Sequence, residues 1–81
     1  EGAVATMTVY PNPASERAIV AVSGVESGAK IVVSDMQGRI ILSDNMTSKT
    51  YELSVANMTG GVYYIRVIDG VLIYTQKLIV E

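Results

Sequence analysis

The side chains that catalysis draws on most are scarce in this chain. Its 81 residues include no His and no Cys. That removes the commonest general base, the commonest metal ligand and any thiolate or disulfide chemistry. What remains is Ser and Thr beside Lys30, Lys49 and Lys77, together with the carboxylates Glu16, Asp35, Asp44 and Glu52. A serine–lysine pair is formally available, yet the lysines read as solvated surface residues and no G-x-S-x-G elbow is present. Asp35 and Asp44 fall in turns, where Asp is placed to bond its own backbone, so no acid/base pair is expected from them. A calcium loop needs several oxygen ligands close together. Ser43-Asp44-Asn45-Met46-Thr47 offers a single carboxylate and reads as a polar turn. The expectation is a chain with no catalytic residue, no cofactor and no metal.

Two further patterns bear on binding. Tyr64 and Arg66 share one face of a strand, which suits a small ligand platform but also ordinary cross-strand packing, the simpler of the two. Asn45-Met46-Thr47 and Asn57-Met58-Thr59 match the N-glycosylation triplet, a motif short enough to arise by chance. Net charge is −2 with the charges scattered, which argues against nucleic acid. The longest charge-free stretch, Leu53–Ile65, is too short and too polar to cross a membrane as a helix. A minimal outer-membrane barrel wants about eight strands of roughly 9–11 residues. The first residues lack the basic start and apolar core of a signal peptide. With no initiator Met, the expectation is a fragment or processed product.

The elements that must position these residues are strands. Val, Ile and Thr are abundant and all five aromatics are Tyr, a bias toward strand over helix. Residues 1–6 read as the end of a linker and 7–81 as one domain. Strands are expected at Thr6–Tyr10, Arg17–Ser23, Ala29–Asp35, Arg39–Ser43 and Thr50–Ser54, then in two runs flanking Asp69-Gly70. Pro11-Asn12-Pro13 must end the first strand, because two prolines remove two donors and fix φ. Gly24–Gly28 reads as a loop and Asp35-Met36-Gln37-Gly38 as a turn, with Gly38 free to take positive φ. Asp44–Lys49 reads as a polar connection. Ser54 is expected to cap one helical turn, Val55–Met58, that tucks Met58 under the sheets. Asp69-Gly70 is read as the centre of a type I′ hairpin. Alternation puts Ala18, Val20 and Val22, then Ile31 and Val33, then Tyr51 and Leu53, then Tyr63, Ile65 and Val67 on core faces. Seven short strands at this spacing predict an all-β, seven-stranded, immunoglobulin-like antiparallel β-sandwich.

The final run, Val71–Val80, carries one charge, Lys77. As a sheet edge it would be open to capture by a partner's strand or by a second copy, through an edge-strand homodimer. As a central strand it would be buried on both sides. The pattern alone leaves both open.

Three blocks then carry a family resemblance. Val9-Tyr10-Pro11-Asn12-Pro13-Ala14 matches a Y/F-P-N-P-A opening. Ile31-Val32-Val33-Ser34-Asp35-Met36-Gln37-Gly38-Arg39 matches a strand followed by Asp, two variable residues and Gly. Gly61-Val62-Tyr63-Tyr64-Ile65-Arg66-Val67, with Lys77-Leu78-Ile79-Val80 near the end, matches a G-x-Y-x-hydrophobic strand and a closing lysine-plus-aliphatic strand. In order and spacing the chain resembles the C-terminal sorting domain of the type IX secretion system of Bacteroidetes, over residues 8–81. Met58 stands where Leu is usual, Ser34 where an aromatic is frequent, and Glu81 where a basic or neutral residue is common. The resemblance implies an address and not a reaction. A larger cargo upstream in the same chain would pass from the periplasm to the cell surface or medium. The partners would be translocon and sortase proteins, the latter cutting in or before residues 1–6. The recognition hairpin would comprise Gly61, Tyr63, Ile65, Val67, Lys77, Leu78, Ile79, Val80 and Glu81. Tyr10, Pro11, Asn12, Pro13, Asp35 and Gly38 would form the structural motif. The other reading is an immunoglobulin-like binding or spacer module with Tyr64 and Arg66 on its ligand face.

Overall fold

The computed structural model describes residues 6–23 and 28–81. It contains seven strands: β1 (Thr6–Tyr10), β2 (Arg17–Ser23), β3 (Lys30–Ser34), β4 (Ile40–Asn45), β5 (Thr50–Ser54), β6 (Gly61–Asp69) and β7 (Leu72–Val80). They form two antiparallel sheets, β1-β2-β5 and β4-β3-β6-β7. This is the expected all-β sandwich. Residues 24–27 of the expected Gly24–Gly28 loop and residues 1–5 of the linker lie outside the described residues; Thr6 already pairs with Ser23.

Alternation builds the core. Ala18, Val20 and Val22 from β2 face Ile31 and Val33 from β3 and Ile65 and Val67 from β6, all at or below 2% exposure. Leu53, Leu78 and Val80 complete the same apolar cluster. Successive residues on a strand point to opposite faces, so the intervening Ile19, Ala21, Tyr64 and Arg66 face outward.

Four local expectations change. First, the β6–β7 hairpin pairs Asp69 with Leu72. The central turn residues are therefore Gly70 and Val71, not Asp69 and Gly70. Gly70 has φ +62° and no non-glycine residue has positive φ. Positive φ at the first central position alone is the type II′ signature, with Gly in the place that turn requires. Second, Val55–Met58 is a single turn closed by Met58 N–H to the Val55 carbonyl at 3.0 Å, not a helical turn. Its apolar anchor is Val55, 1% exposed, while Met58 only packs against the cluster from the rim. Third, the polar connection after β4 is shorter than expected. Asp44 and Asn45 belong to β4, and Met46 is buried to 1%. Met46 extends the ladder through its N–H to the Ala29 carbonyl at 2.8 Å. An apolar side chain isolated among polar ones gives no periodic signal. Fourth, β3 is trimmed to Lys30–Ser34, and a register shift after Val33 moves β4 to begin at Ile40.

Burial sets the expected energetics. Leu78→Ala removes a fully enclosed side chain and should cost about 2–5 kcal/mol, whereas Ile73→Ala on the outer face, 57% exposed, should stay within about 0.5 kcal/mol. Urea titration of the purified domain reads both.

Candidate functional site

The hairpin identified from sequence divides between the two faces of its sheet. Tyr63, Ile65, Val67, Leu78 and Val80 are buried, so they hold shape and present no side chain. Tyr63 donates its hydroxyl to the Thr59 carbonyl, which satisfies the polar tip of an otherwise apolar residue. Gly60 sits against the chain end: a Cβ there would lie 3.3 Å from the Val80 carbonyl oxygen. Lys77 is exposed and Ile79 is 38% exposed, both on the outward face.

β7 is an edge strand, which resolves the alternative left by its composition. Half of that edge, however, is covered. The chain leaves β1 through Pro11-Asn12-Pro13 and lies along the end of β7. Asn12 acts there as a stand-in for a strand residue. Its Nδ2 donates to the Lys77 carbonyl at 2.9 Å, and its Oδ1 accepts from Ile79 N–H at 3.0 Å. Ala14 continues with a parallel bridge to Val80. Its N–H reaches the Ile79 carbonyl and its carbonyl accepts from Glu81 N–H, each at 2.8 Å. Proline cannot donate to a ladder, so the amide side chain between two prolines supplies the donor the backbone lacks. Over Ile79–Glu81, and at the Lys77 carbonyl, the main chain is therefore engaged within the domain and is not open to strand addition. Alternation of the ladder leaves Ile73, Thr75 and the Lys77 N–H presenting backbone groups outward, with no hydrogen bond among the described residues.

The second motif region is a closed turn. The Asp35 carboxylate accepts from the N–H groups of Gln37 and Arg39 through Oδ1, both at 2.9 Å, and from Arg39 Nε through Oδ2 at 2.9 Å. Gly38, at φ +87°, returns its N–H to the Asp35 carbonyl. Desolvation pushes the Asp35 pKa up, but the hydrogen bonds and charge of Arg39, with the Gln37 amide, outweigh it and hold the group below its ordinary value. At the other seam Tyr51 on β5 donates its hydroxyl to Asp44 Oδ2 on β4 at 2.7 Å. That bond, with Asn45 N–H, lowers the Asp44 pKa; desolvation and then the Asp44 carboxylate raise that of Tyr51. Asp44 is thus committed to tying the two sheets. Between the Asp35 turn and residues 57–63 runs a groove of about 470 Å3, lined by Met36, Arg39, Ile41, Met58 and Val62 among others.

Comparison with known proteins gives these features a common origin. Residues 8–81 match the family described as "Secretion system C-terminal sorting domain". The chain belongs to that sorting-domain family. It is 26% identical over 87 aligned residues to Karilysin of Tannerella forsythia, covering 94% of this chain and 18% of Karilysin. The chain thus spans less than a fifth of that relative. Its fold is similar to a solved structure of PorZ, a surface component of the type-IX secretion system of Porphyromonas gingivalis. The TM-score is 0.79 at 21% identity, over 93% of this chain and 11% of PorZ.

In this sorting domain the structure brings Pro11, Asn12 and Pro13 together with Lys77, Ile79 and Val80, residues more than sixty positions away. Asp35 and Gly38 remain a separate turn at one end. Sequence reading missed Ala14 as a member of the tie, although it is fully buried. The small residue after Pro13 was the available signal: a larger side chain would not fit there.

Asn12→Ala removes two bonds to β7 and should cost about 1–3 kcal/mol, taking roughly 0.5–1.5 per hydrogen bond. Amide exchange at Ile79 should accelerate while that at Leu78 changes only with global stability. For Asp35 the folded-state pKa lies below the unfolded one, so the unfolded chain binds more protons in that window. Its contribution is full above about pH 4 and fades as pH falls through the folded value. Asp35→Asn should flatten that part of the stability–pH curve, measured by thermal melting from pH 2 to 6.

Proposed function

We propose that this domain is the address that directs a larger cargo protein, upstream in the same chain, through the type IX secretion system across the outer membrane. The observation that carries the reading is the family match over residues 8–81. The cargo would reach the periplasm, the translocon would engage the domain, and the cargo would arrive at the cell surface or medium. A sortase of the system would cut in or before residues 1–6, after which the cargo is released or joined to an anionic lipopolysaccharide. The domain is the substrate in each of these steps and supplies no catalytic residue.

The geometry supports a particular form of recognition. With the Lys77–Glu81 edge bonded to Asn12 and Ala14, the translocon would read a folded shape and its side chains. A free terminal strand would not be available. The buried Tyr63, Ile65, Leu78 and Val80 act by fixing that shape, and Lys77, Ile79 and Glu81 are what a partner can touch.

The test is a transplant. Residues 1–81 are fused to the C-terminus of an exported fluorescent protein in a type IX-competent bacterium. Fluorescence should appear at the surface or in the medium and should be lost in a translocon mutant. Removing Lys77–Glu81 should leave it in the periplasm. Secretion that survives this truncation would remove the hairpin from the proposal.

A further inference from the structure

The outward face of the four-stranded sheet has a charge pattern unlike the rest of the molecule. Register places Lys30 opposite Ile68 and Ile73, Arg66 opposite Val32 and Thr75, and Lys77 opposite Tyr64 and Ser34. Each row is displaced from the last by two residues. Lys30 on β3, Arg66 on β6 and Lys77 on β7 therefore lie on one diagonal across three adjacent strands. Diagonal neighbours on one sheet face are about 7–8 Å apart between Cα atoms. No Asp or Glu occupies an outward strand position on this face. The chain has six basic residues, and half of them stand on a face whose described strand positions carry no carboxylate.

Arg17 and Arg39 each pair with a carboxylate, Glu52 and Asp35. Lys30, Arg66 and Lys77 form no ion pair among the described residues. Three like charges in a diagonal line repel one another in the free domain. A surface of opposite sign would turn that repulsion into attraction and fix its own register. The positions flanking the diagonal are mostly apolar, Val32, Ile68 and Tyr64 with Thr75, and Ile73 and Ile79 border it on β7; Tyr64 and Ile79 are each 38% exposed and Ile73 57%. Tyr and Arg at the centre, with aliphatic neighbours, is the composition of protein–protein contact cores. A flexible polyanion would reward a longer track of cations and gain little from the aliphatic side chains.

We propose that this sheet face docks a carboxylate-rich surface of a partner protein, with Lys30, Arg66 and Lys77 as the charge contacts and Tyr64 as the apolar anchor. The inference rests on the reading of the domain as one recognised by protein during export. It places two of the three charge contacts, Lys30 and Arg66, outside the terminal strand.

The experiment uses the fluorescent fusion in secreting cells. Lys30→Glu, Arg66→Glu and Lys77→Glu are combined, and a second variant, the control, carries Arg17→Glu and Lys49→Glu with Thr47→Glu and Ala56→Glu at exposed sites, which shifts net charge equally. The triple variant should lose at least ten-fold in surface delivery while the control keeps it. The purified triple variant should melt no lower than the parent, since the diagonal repulsion stays the same in kind and no buried group changes. In parallel, a photo-reactive phenylalanine analogue replaces Thr75, between the cations, or Thr8 on the outward face of the other sheet. An adduct is expected from Thr75 alone. Its partner peptide should be rich in Asp and Glu, and it should vanish in the triple variant. Exchanging those acids for Lys in the partner should restore delivery of the triple variant. Parental delivery by the triple variant would overturn the proposal. So would a Thr75 adduct on glycan or lipid, or the absence of any adduct. If the parent fusion itself stays in the periplasm, the sorting role fails. The Thr75 adduct and its dependence on the three cations still decide the docking face.

Discussion

The bonds between Asn12, Ala14 and the outer edge of β7 are the constraint on which the arrangement depends. A two-sheet sandwich has four edges, and two of them, β1 and β7, lie along the same seam. The chain crosses that seam at Pro11-Asn12-Pro13, directly after β1, and the side-chain amide of Asn12 takes over the hydrogen bonding that two prolines deny the backbone. The crossing fastens the small sheet to the large one. It also closes the terminal half of an apolar edge strand that would otherwise be a template for pairing. Asp44 and Tyr51 make the matching tie at the opposite seam, by a single hydrogen bond between exposed side chains.

This constraint changes what recognition of the domain can mean. An open terminal strand would invite strand addition, with affinity in the backbone and specificity in alternate side chains. A fastened strand offers a rigid surface. Ordering costs are then met on folding and not on binding, which leaves more of the contact energy for affinity. The division of the hairpin follows the same logic: its inward residues hold the surface in place and its outward residues are the surface. The outward face is also where the cations gather, so shape and charge are presented by the same four strands.

The closed Asp35 turn has a local role. Its carboxylate satisfies two backbone donors and the Arg39 side chain, and Gly38 provides the positive φ that closes the turn. This makes the β3–β4 connection independent of the core. The same residues line the groove at that end, with Asp35 and Arg39 already engaged with one another.

The strand count, the core faces and most of the turn positions were legible in the chain because they are local. Period-two alternation fixed Ile31, Val33, Tyr63, Ile65 and Val67 as inward, and Asp, Gly and Pro marked where strands stop. The three family blocks were legible for a different reason, as matched residues in a matched order. Tertiary structure alone decided that β7 is an edge and that its edge is half closed, because the partner residues are more than sixty positions apart. It decided the burial of Met46, which no periodicity announces. It decided the hairpin turn as well: Asp-Gly permits more than one placement, and the cross-strand register selected Gly70-Val71. The diagonal of Lys30, Arg66 and Lys77 has the same character. Each cation sits on its own strand with an unremarkable neighbourhood, and only the pairing of β3, β6 and β7 brings them into one line.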